Sequence, residues 1–228
     1  MNSTNSVYEV HSLKVRSEKF INYCYVIVDK RTKKAALIDP AWEKDRIQGL
    51  IDHLNVELTF ILLTHSHHDH VNLVDEMVQE YKCRVYILHQ EVTYYRFFCE
   101  NLVLLTENSL LMLGDTEIQV IHTPGHTLGS ACFLLEDCIF TGDTIFIEGC
   151  GVCDTDGGNP LEMYHTIQRL KKLIHLETSI YPGHCFGKEP GHSFECLLRN
   201  NIYFHFKSEE QFVRFRMRKI SSEVLKFR

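Results

Sequence analysis

Apolar and polar positions in the first forty residues fall into three short runs. Strands are predicted from Val7 to Val15, over Asn22-Tyr23-Cys24-Tyr25-Val26-Ile27-Val28, and over Ala35-Ala36-Leu37-Ile38, which ends at Asp39-Pro40. The polar Asp29-Lys30-Arg31-Thr32 makes the turn between the last two, a hairpin at the edge of a sheet. Ile47, Leu50, Ile51 and Leu54 then recur at helical spacing, and so do Val71, Val74, Met77, Val78 and Tyr81. Between these two helices Leu58 to Thr64 is almost wholly apolar, as expected of a strand buried on both faces. Further strands are expected at Glu117 to Ile121, Ala131 to Leu135, Cys138 to Thr141 and Ser179 to Tyr181. Asn159 as N-cap with Pro160 at the first position opens a helix with Leu161, Tyr164, Ile167, Leu170 and Leu173 on one face and Lys171 and Lys172 late in it. A capping box, Ser208 with Gln211, opens a last helix that mixes Phe212 and Phe215 with Arg214, Arg216 and Arg218. Strands and helices in two successive runs predict helices covering sheets, a layered α/β sandwich rather than a simple alternating parallel fold. Its expected core holds Ile61, Leu62, Leu63, Val74, Ile121, Phe133, Leu135, Ile139 and Phe140.

The chain has 228 residues, 44% of them hydrophobic, which is ample for a sizeable core. No Pro/Gly/Ser-rich linker interrupts it, so residues 1–228 are expected to form a single domain with a basic helical tail from about residue 199. No apolar run approaches the roughly 18 residues that span a bilayer, and the polar start Met1-Asn2-Ser3-Thr4-Asn5 lacks a signal peptide's apolar stretch. A cytoplasmic protein without membrane contact is expected. Nine cysteines, an odd number without a short secreted framework, point to reduced thiols, and Cys150 with Cys153 has no second pair to complete a structural zinc site. The net charge of −6 is uneven, for eight Lys/Arg stand against three Asp/Glu from Arg199 onward. A nucleic-acid binder shows a broader basic surface than this, so the tail is a solvated helix face or a docking patch for an acidic partner.

The densest chemistry is Thr64-His65-Ser66-His67-His68-Asp69-His70 at the end of the apolar strand. Imidazole nitrogens together with a carboxylate suit zinc, iron or manganese better than calcium or magnesium. Seven residues cannot close two metal sites, so more ligands must come from other loops. His126, Asp143 and His184 each follow an apolar strand and are each preceded by a glycine, which lets the backbone turn at the strand end and brings the side chain to the rim of a sheet.

In order, the motifs HSHHDH, TPGHT, TGDT and PGH resemble those of the metallo-β-lactamase fold superfamily, especially its glyoxalase II-like hydrolases, from roughly Asn22 to Gly187. The resemblance implies an αββα sandwich with two divalent metal ions at one rim, zinc foremost, with iron or manganese also accepted. It implies His65, His67 and His126 on one ion, Asp69, His70 and His184 on the other, Asp143 bridging them, and Asp69 as the catalytic residue that orients the nucleophile. His68 occupies a non-ligand position.

Departures from the family pattern narrow the function. His67 stands where the diiron flavoprotein branch has glutamate, and Asp143 where many zinc β-lactamases have cysteine. The segment Phe146 to Asp154 resembles the one that in glyoxalase II helps to hold glutathione, but Val152 replaces its cation, Asp154 an aromatic, and Phe186 the tyrosine expected after the last histidine. Losing such charge-assisted contacts costs roughly 1.5 to 3 kcal/mol each, so glutathione thioesters fit poorly. The substrate-binding candidates are Val152, Asp154, Phe186 and Lys188. Val71-Asn72-Leu73-Val74 stands where most relatives have a glycine pair, with no account in the sequence.

Taken whole, Ile38 to Glu43, Ile147 to Pro160, Tyr181 to Gly191 and Asn200 to Lys219 resemble the small zinc-dependent hydrolases encoded with bacterial trans-acyltransferase polyketide synthases, the bacillaene type in particular. That implies hydrolysis of short acyl thioesters on phosphopantetheinyl acyl carrier proteins. The partner is then a carrier protein or polyketide synthase, engaged by the basic segment Lys207 to Lys219, with Lys188 or a tail arginine for the phosphopantetheine phosphate. The other readings are a glutathione-thioester hydrolase, a mononuclear iron persulfide dioxygenase and a non-enzymatic docking protein.

Overall fold

The computed structural model describes residues 6–218. The polar start Met1 to Asn5 and Lys219, the end of the expected docking segment, lie outside them.

Two six-stranded sheets form in chain order. In the first, β1 (Tyr8–Arg16), β2 (Ile21–Asp29) and β3 (Lys34–Ile38) are antiparallel, and β4 (Glu57–Leu62), β5 (Arg84–Leu88) and β6 (Leu102–Leu105) continue parallel to β3. In the second, β7 (Leu110–Leu113), β8 (Thr116–His122), β9 (Ala131–Leu134) and β10 (Cys138–Gly142) form a meander, β11 (Ser179–Pro182) lies parallel to β10, and β12 (His192–Ser193) closes the edge. Helices α1 (Lys44–Leu54), α2 (His68–Val71), α3 (Val74–Tyr81) and α4 (His89–Tyr95) belong to the first half, and α5 (Pro160–Leu173), α6 (Phe194–Asn200) and α7 (Glu209–Arg216) to the second. Among the described residues no helix is long and apolar enough to cross a membrane.

Because side chains alternate across a strand, each sheet needs an apolar layer on both faces. On β2, Cys24, Val26 and Val28 pack under Ile47 and Ile51 of α1 and Met77 and Val78 of α3. The intervening Tyr23, Tyr25 and Ile27 meet Phe133 and Phe140 of the second sheet. That sheet sends Cys132, Ile139 and Ile180 to its own outer face, where Met163, Ile167 and Leu170 of α5, Leu197 of α6 and Phe212 of α7 cover it. Three apolar layers between four layers of elements make the αββα sandwich. The register of β4 against β3 slips between Ala35 and Ala36, so Leu58 and Phe60 face opposite layers although two residues apart.

All nine residues expected in the core are at most 4% exposed. Two expectations need correction. Leu161 and Leu173 are 39% and 40% exposed, and the buried stripe of α5 is Met163, Thr166, Ile167 and Leu170. Each of those leucines stands six positions from Ile167, about 120° around the helix. The buried Thr166 is accommodated because its hydroxyl donates to the Pro124 carbonyl at 2.7 Å. The helix expected to run from Val71 is two helices, broken at Asn72-Leu73.

Asp29 joins the sheets at one rim. It accepts hydrogen bonds from Thr32 N (2.8 Å) and Oγ1 (2.6 Å) beside it, and from Asp115 N (3.1 Å) and Thr116 Oγ1 (2.9 Å) on the β7–β8 hairpin. The opposite rim carries the C-terminal ends of β4, β8, β10 and β11.

Candidate metal centre

Each candidate ligand follows one of those strand ends. His65 and His67 come after β4, with His67 as N-cap of α2, the turn that carries Asp69 and His70. His126 lies between β8 and β9, Asp143 directly after β10, and His184 after β11. Two glycines allow these loops to crowd together. A Cβ on Gly142, where φ is +47°, would lie 2.3 Å from Thr64 Oγ1. One on Gly183 would lie 2.6 Å from both Asp143 Oδ1 and His70 Cε1. Any side chain there would push the loops apart.

The seven side chains converge in two sets. His67 Nδ1 lies 3.1 Å from His65 Nε2 and 3.0 Å from His126 Nε2. His184 Nε2 lies 3.3 Å from Asp69 Oδ2, and His70 Nε2 lies 3.7 Å from the same oxygen. Asp143 reaches both sets, its Oδ2 being 3.7 Å from His126 Nε2 and 3.4 Å from His184 Nε2, and its Oδ1 3.4 Å from His70 Nε2.

Outer hydrogen bonds fix which nitrogen faces inward. His126 Nδ1 donates to the Val152 carbonyl (2.7 Å) and His184 Nδ1 to that of Ile21 (2.7 Å). His70 Nδ1 donates to Asp39 Oδ2 (3.0 Å), and His65 Nδ1 to Thr64 Oγ1 (3.0 Å), which itself donates to Asp39. With Nδ1 committed outward, Nε2 of all four rings is the atom left facing the centre, able to offer a lone pair to a cation once the ring is neutral. Burial, reinforced by the neighbouring imidazoles, lowers the pKa of His65 and His67, that of His67 to about 4. Burial raises the carboxyls of Asp69 and Asp143, but His184 and His70 outweigh it and hold both well below the usual range. Burial also opposes a charge on His184, yet Asp143 and Asp69 lift its pKa to about 11.

Without a cation these groups are badly matched. His70 Nε2 and Asp143 Oδ1 are buried with no hydrogen-bond partner, and three nitrogens crowd at about 3 Å. A cation held at 2.0–2.1 Å by tetrahedral nitrogens sets them about 3.3 Å apart, close to what is seen. The residues therefore fit metal ions. Asp39 with His65 and His70 makes a third group of compatible geometry. Its oxygens, however, already accept from Thr64 N (2.8 Å), Thr64 Oγ1 (2.6 Å) and His70, so it orients ligands.

The sequence reading missed this support. Asn22, 1% exposed, donates through Nδ2 to the Asp69 carbonyl and to Oδ2, both at 3.0 Å, and accepts from Trp42 Nε1 at 2.8 Å. Trp42 N donates to Asn72 Oδ1 (2.9 Å), and Asn72 Nδ2 to the His68 carbonyl (2.7 Å), which closes a loop around α2. Asn72 thus has a task that a glycine cannot perform. Fully buried Glu91 accepts from Ser66 N and Oγ, Thr127 Oγ1 and Gly129 N, and so joins the His65 and His126 loops. His68 is exposed, its ring edge-on to Trp42.

A cleft of about 530 Å³ opens over His67, Asp69, Asp143 and His184. Val152 and Phe186 line it, 43% and 58% exposed. Asp154 and Lys188 are not among its lining residues. Lys188 Nζ instead lies 4.0 Å from Glu148 and 3.8 Å from Cys196 Sγ.

The family model of the metallo-beta-lactamase superfamily matches residues 18–184. A Bacillus subtilis protein named "Probable polyketide biosynthesis zinc-dependent hydrolase PksB" is 44% identical over 98% of this chain and its own full length. The cytoplasmic isozyme of hydroxyacylglutathione hydrolase from Saccharomyces cerevisiae is 33% identical over 77% of this chain and 68% of its own. Among solved structures, ETHE1 from Myxococcus xanthus superposes with a TM-score of 0.82 at 29% identity, covering 96% of this chain and 95% of its own.

Proposed function

The chain belongs to the metallo-β-lactamase superfamily, and from that premise we propose that it is a dinuclear, zinc-dependent hydrolase of acyl thioesters borne on phosphopantetheinyl carrier proteins of a polyketide synthase. The observation that carries this reading is the Asp143 carboxylate, within 3.4–3.7 Å of His70, His126 and His184, between two groups of inward-facing ligand atoms. His65, His67 and His126 would hold one metal and Asp69, His70 and His184 the other, with Asp143 within reach of both sets. The near full-length likeness to a hydrolase named for polyketide biosynthesis supports the setting, and the hydroxyacylglutathione hydrolase supports thioester chemistry.

Divalent metal bound there would supply a water of lowered pKa, about 7, and a Lewis acid for the substrate carbonyl. Asp69, held by Asn22, orients the attacking water. Attack on the thioester carbonyl forms the new C–O bond, and collapse breaks C–S. The products are a carboxylic acid and the carrier's thiol. A thiolate leaving group with pKa near 8.5 needs little protonation, which matches a cleft whose described lining has no carboxyl or imidazole besides the metal residues. Glutathione is disfavoured because Val152 and Phe186 replace the cation and the tyrosine that help to hold it in glyoxalase II.

Asp69→Asn tests the assignment. Because Asp69 is also a ligand, occupancy of the second metal should fall, and kcat for acetyl-carrier hydrolysis should drop by roughly 10²-fold or more, the scale of lost positioning. Full activity in a metal-replete Asp69→Asn variant would remove Asp69 from the reaction.

A further inference from the structure

The wall of the metal cleft is completed by the C-terminal helix, which brings Arg216, at the end of α7, and Arg218 into it with Tyr203. Arg216 Nη1 donates to the Tyr203 hydroxyl at 3.1 Å, and its guanidinium lies 5.9 Å from the centre of that ring. Its Nε is buried without a hydrogen-bond partner. The Arg218 guanidinium sits 3.5 Å over the ring of Phe215. Arginine ion pairs among the described residues use Arg31, Arg46, Arg169 and Arg199, and neither cleft arginine. The two cations are thus steadied on aromatic rings with donors to spare beside a metal centre, an arrangement suited to an anion on the substrate. Phe20, Val152 and Phe186, 48%, 43% and 58% exposed, give the same cleft an apolar lining.

We propose that Arg216 and Arg218 form a phosphate seat in the metal cleft, so that the substrate is recognised as a phosphopantetheine thioester by its phosphate as well as its acyl group. The proposal rests on the thioesterase reading. The apolar lining takes the body of the arm, and the planar guanidinium forks match phosphate oxygens as a pair of ammonium groups cannot. The cation missing at Val152 is thus supplied from another element, the C-terminal helix and the residues just after it. A phosphopantetheine arm comes either from a carrier protein or from coenzyme A, and both place an anionic phosphate at the same end of the arm, as a serine phosphodiester in the first and within a pyrophosphate in the second.

The test compares acetyl-pantetheine, acetyl-4′-phosphopantetheine, acetyl-coenzyme A and an acetyl-carrier protein as substrates of the metal-loaded full chain and of its Arg218→Ala, Arg216→Lys and Arg216→Ala/Arg218→Ala variants. The wild type should favour the phosphorylated over the unphosphorylated small thioester at least tenfold, mainly in KM, as expected for charge-assisted contacts. That preference should shrink in Arg218→Ala, persist partly in Arg216→Lys and vanish in the double variant. A wild type indifferent to the phosphate, or a preference that survives the double variant, overturns the seat. Acetyl-coenzyme A turned over as fast as the small phosphorylated thioester identifies a free source, whereas a faster carrier substrate identifies the protein-bound one. Calorimetry with 4′-phosphopantetheine against pantetheine provides a readout independent of turnover. If no thioester is cleaved, the functional reading fails, and equal binding of the two compounds fails the seat separately.

Discussion

Asn22 uses both ends of its amide at the centre, donating to Asp69 and accepting from Trp42. Asn22→Ala leaves the Trp42 indole N–H and an Asp69 oxygen without a partner. The expected cost is about 1–3 kcal/mol of stability, with a fall in kcat larger than any change in metal content. Denaturant melts and metal analysis of the same sample check this. Trp42 is the only tryptophan, joined to Asp69 through Asn22 and in contact with His68, so its fluorescence reports on the site. Chelation should change its emission, and the change should be absent in a folded Asp69→Asn, His70→Ala double variant that no longer binds the second metal. The motif residues were legible because HSHHDH places metal chemistry in one short stretch. Asn22, Asp39 and Glu91 were not, because each meets its partners only through the fold: Asn22 is 47 positions from Asp69, and Asp39 is 31 from His70.

Among the elements, long patterned ones were legible and short ones were not. β2, β4 and α5 carry runs whose period is plain, although the stripe of α5 was misplaced because a threonine, Thr166, takes part in it. β6 and β7 have only four residues each, and β6, β7 and α4 gave no periodic signal. Turn chemistry at the far rim has a measurable consequence. Burial resists the charge on Asp29, but hydrogen bonds from Thr32, Thr116 and Asp115 overcome it and lower its pKa to about 2. A carboxyl depressed on folding stabilises fully above its unfolded pKa of about 3.9 and loses that contribution as pH falls through the folded value. Asp29→Ala should therefore be less stable at neutral pH, and its stability should fall less steeply than the wild type's between about pH 4 and 2. Thermal melts across that window decide it, and parallel acid limbs would refute the clamp.

At the scale of the molecule, the candidate ligands come from both halves of the sandwich, His65, His67, Asp69 and His70 from the first and His126, Asp143 and His184 from the second. Metal bound there holds the two sheets together at one rim, while Asp29 does so at the other. Free metal at 1,000 times its Kd adds about 4 kcal/mol, so chelation should lower Tm by roughly 10 °C. The layering was foreseeable from two successive runs of strands and helices. The return of the C-terminal helix to the cleft was not, because the pattern of Arg216 and Arg218 between aromatics reads equally as a solvated face. The most direct test of metal-dependent carrier-thioester hydrolysis is to offer acetyl-carrier protein and a glutathione thioester to one sample of known metal content. The expected result is preferential release of acetate from the carrier, with two metal ions per chain and loss of turnover in Asp143→Ala. Preference for the glutathione thioester, or no release from the carrier by fully loaded protein, would contradict it.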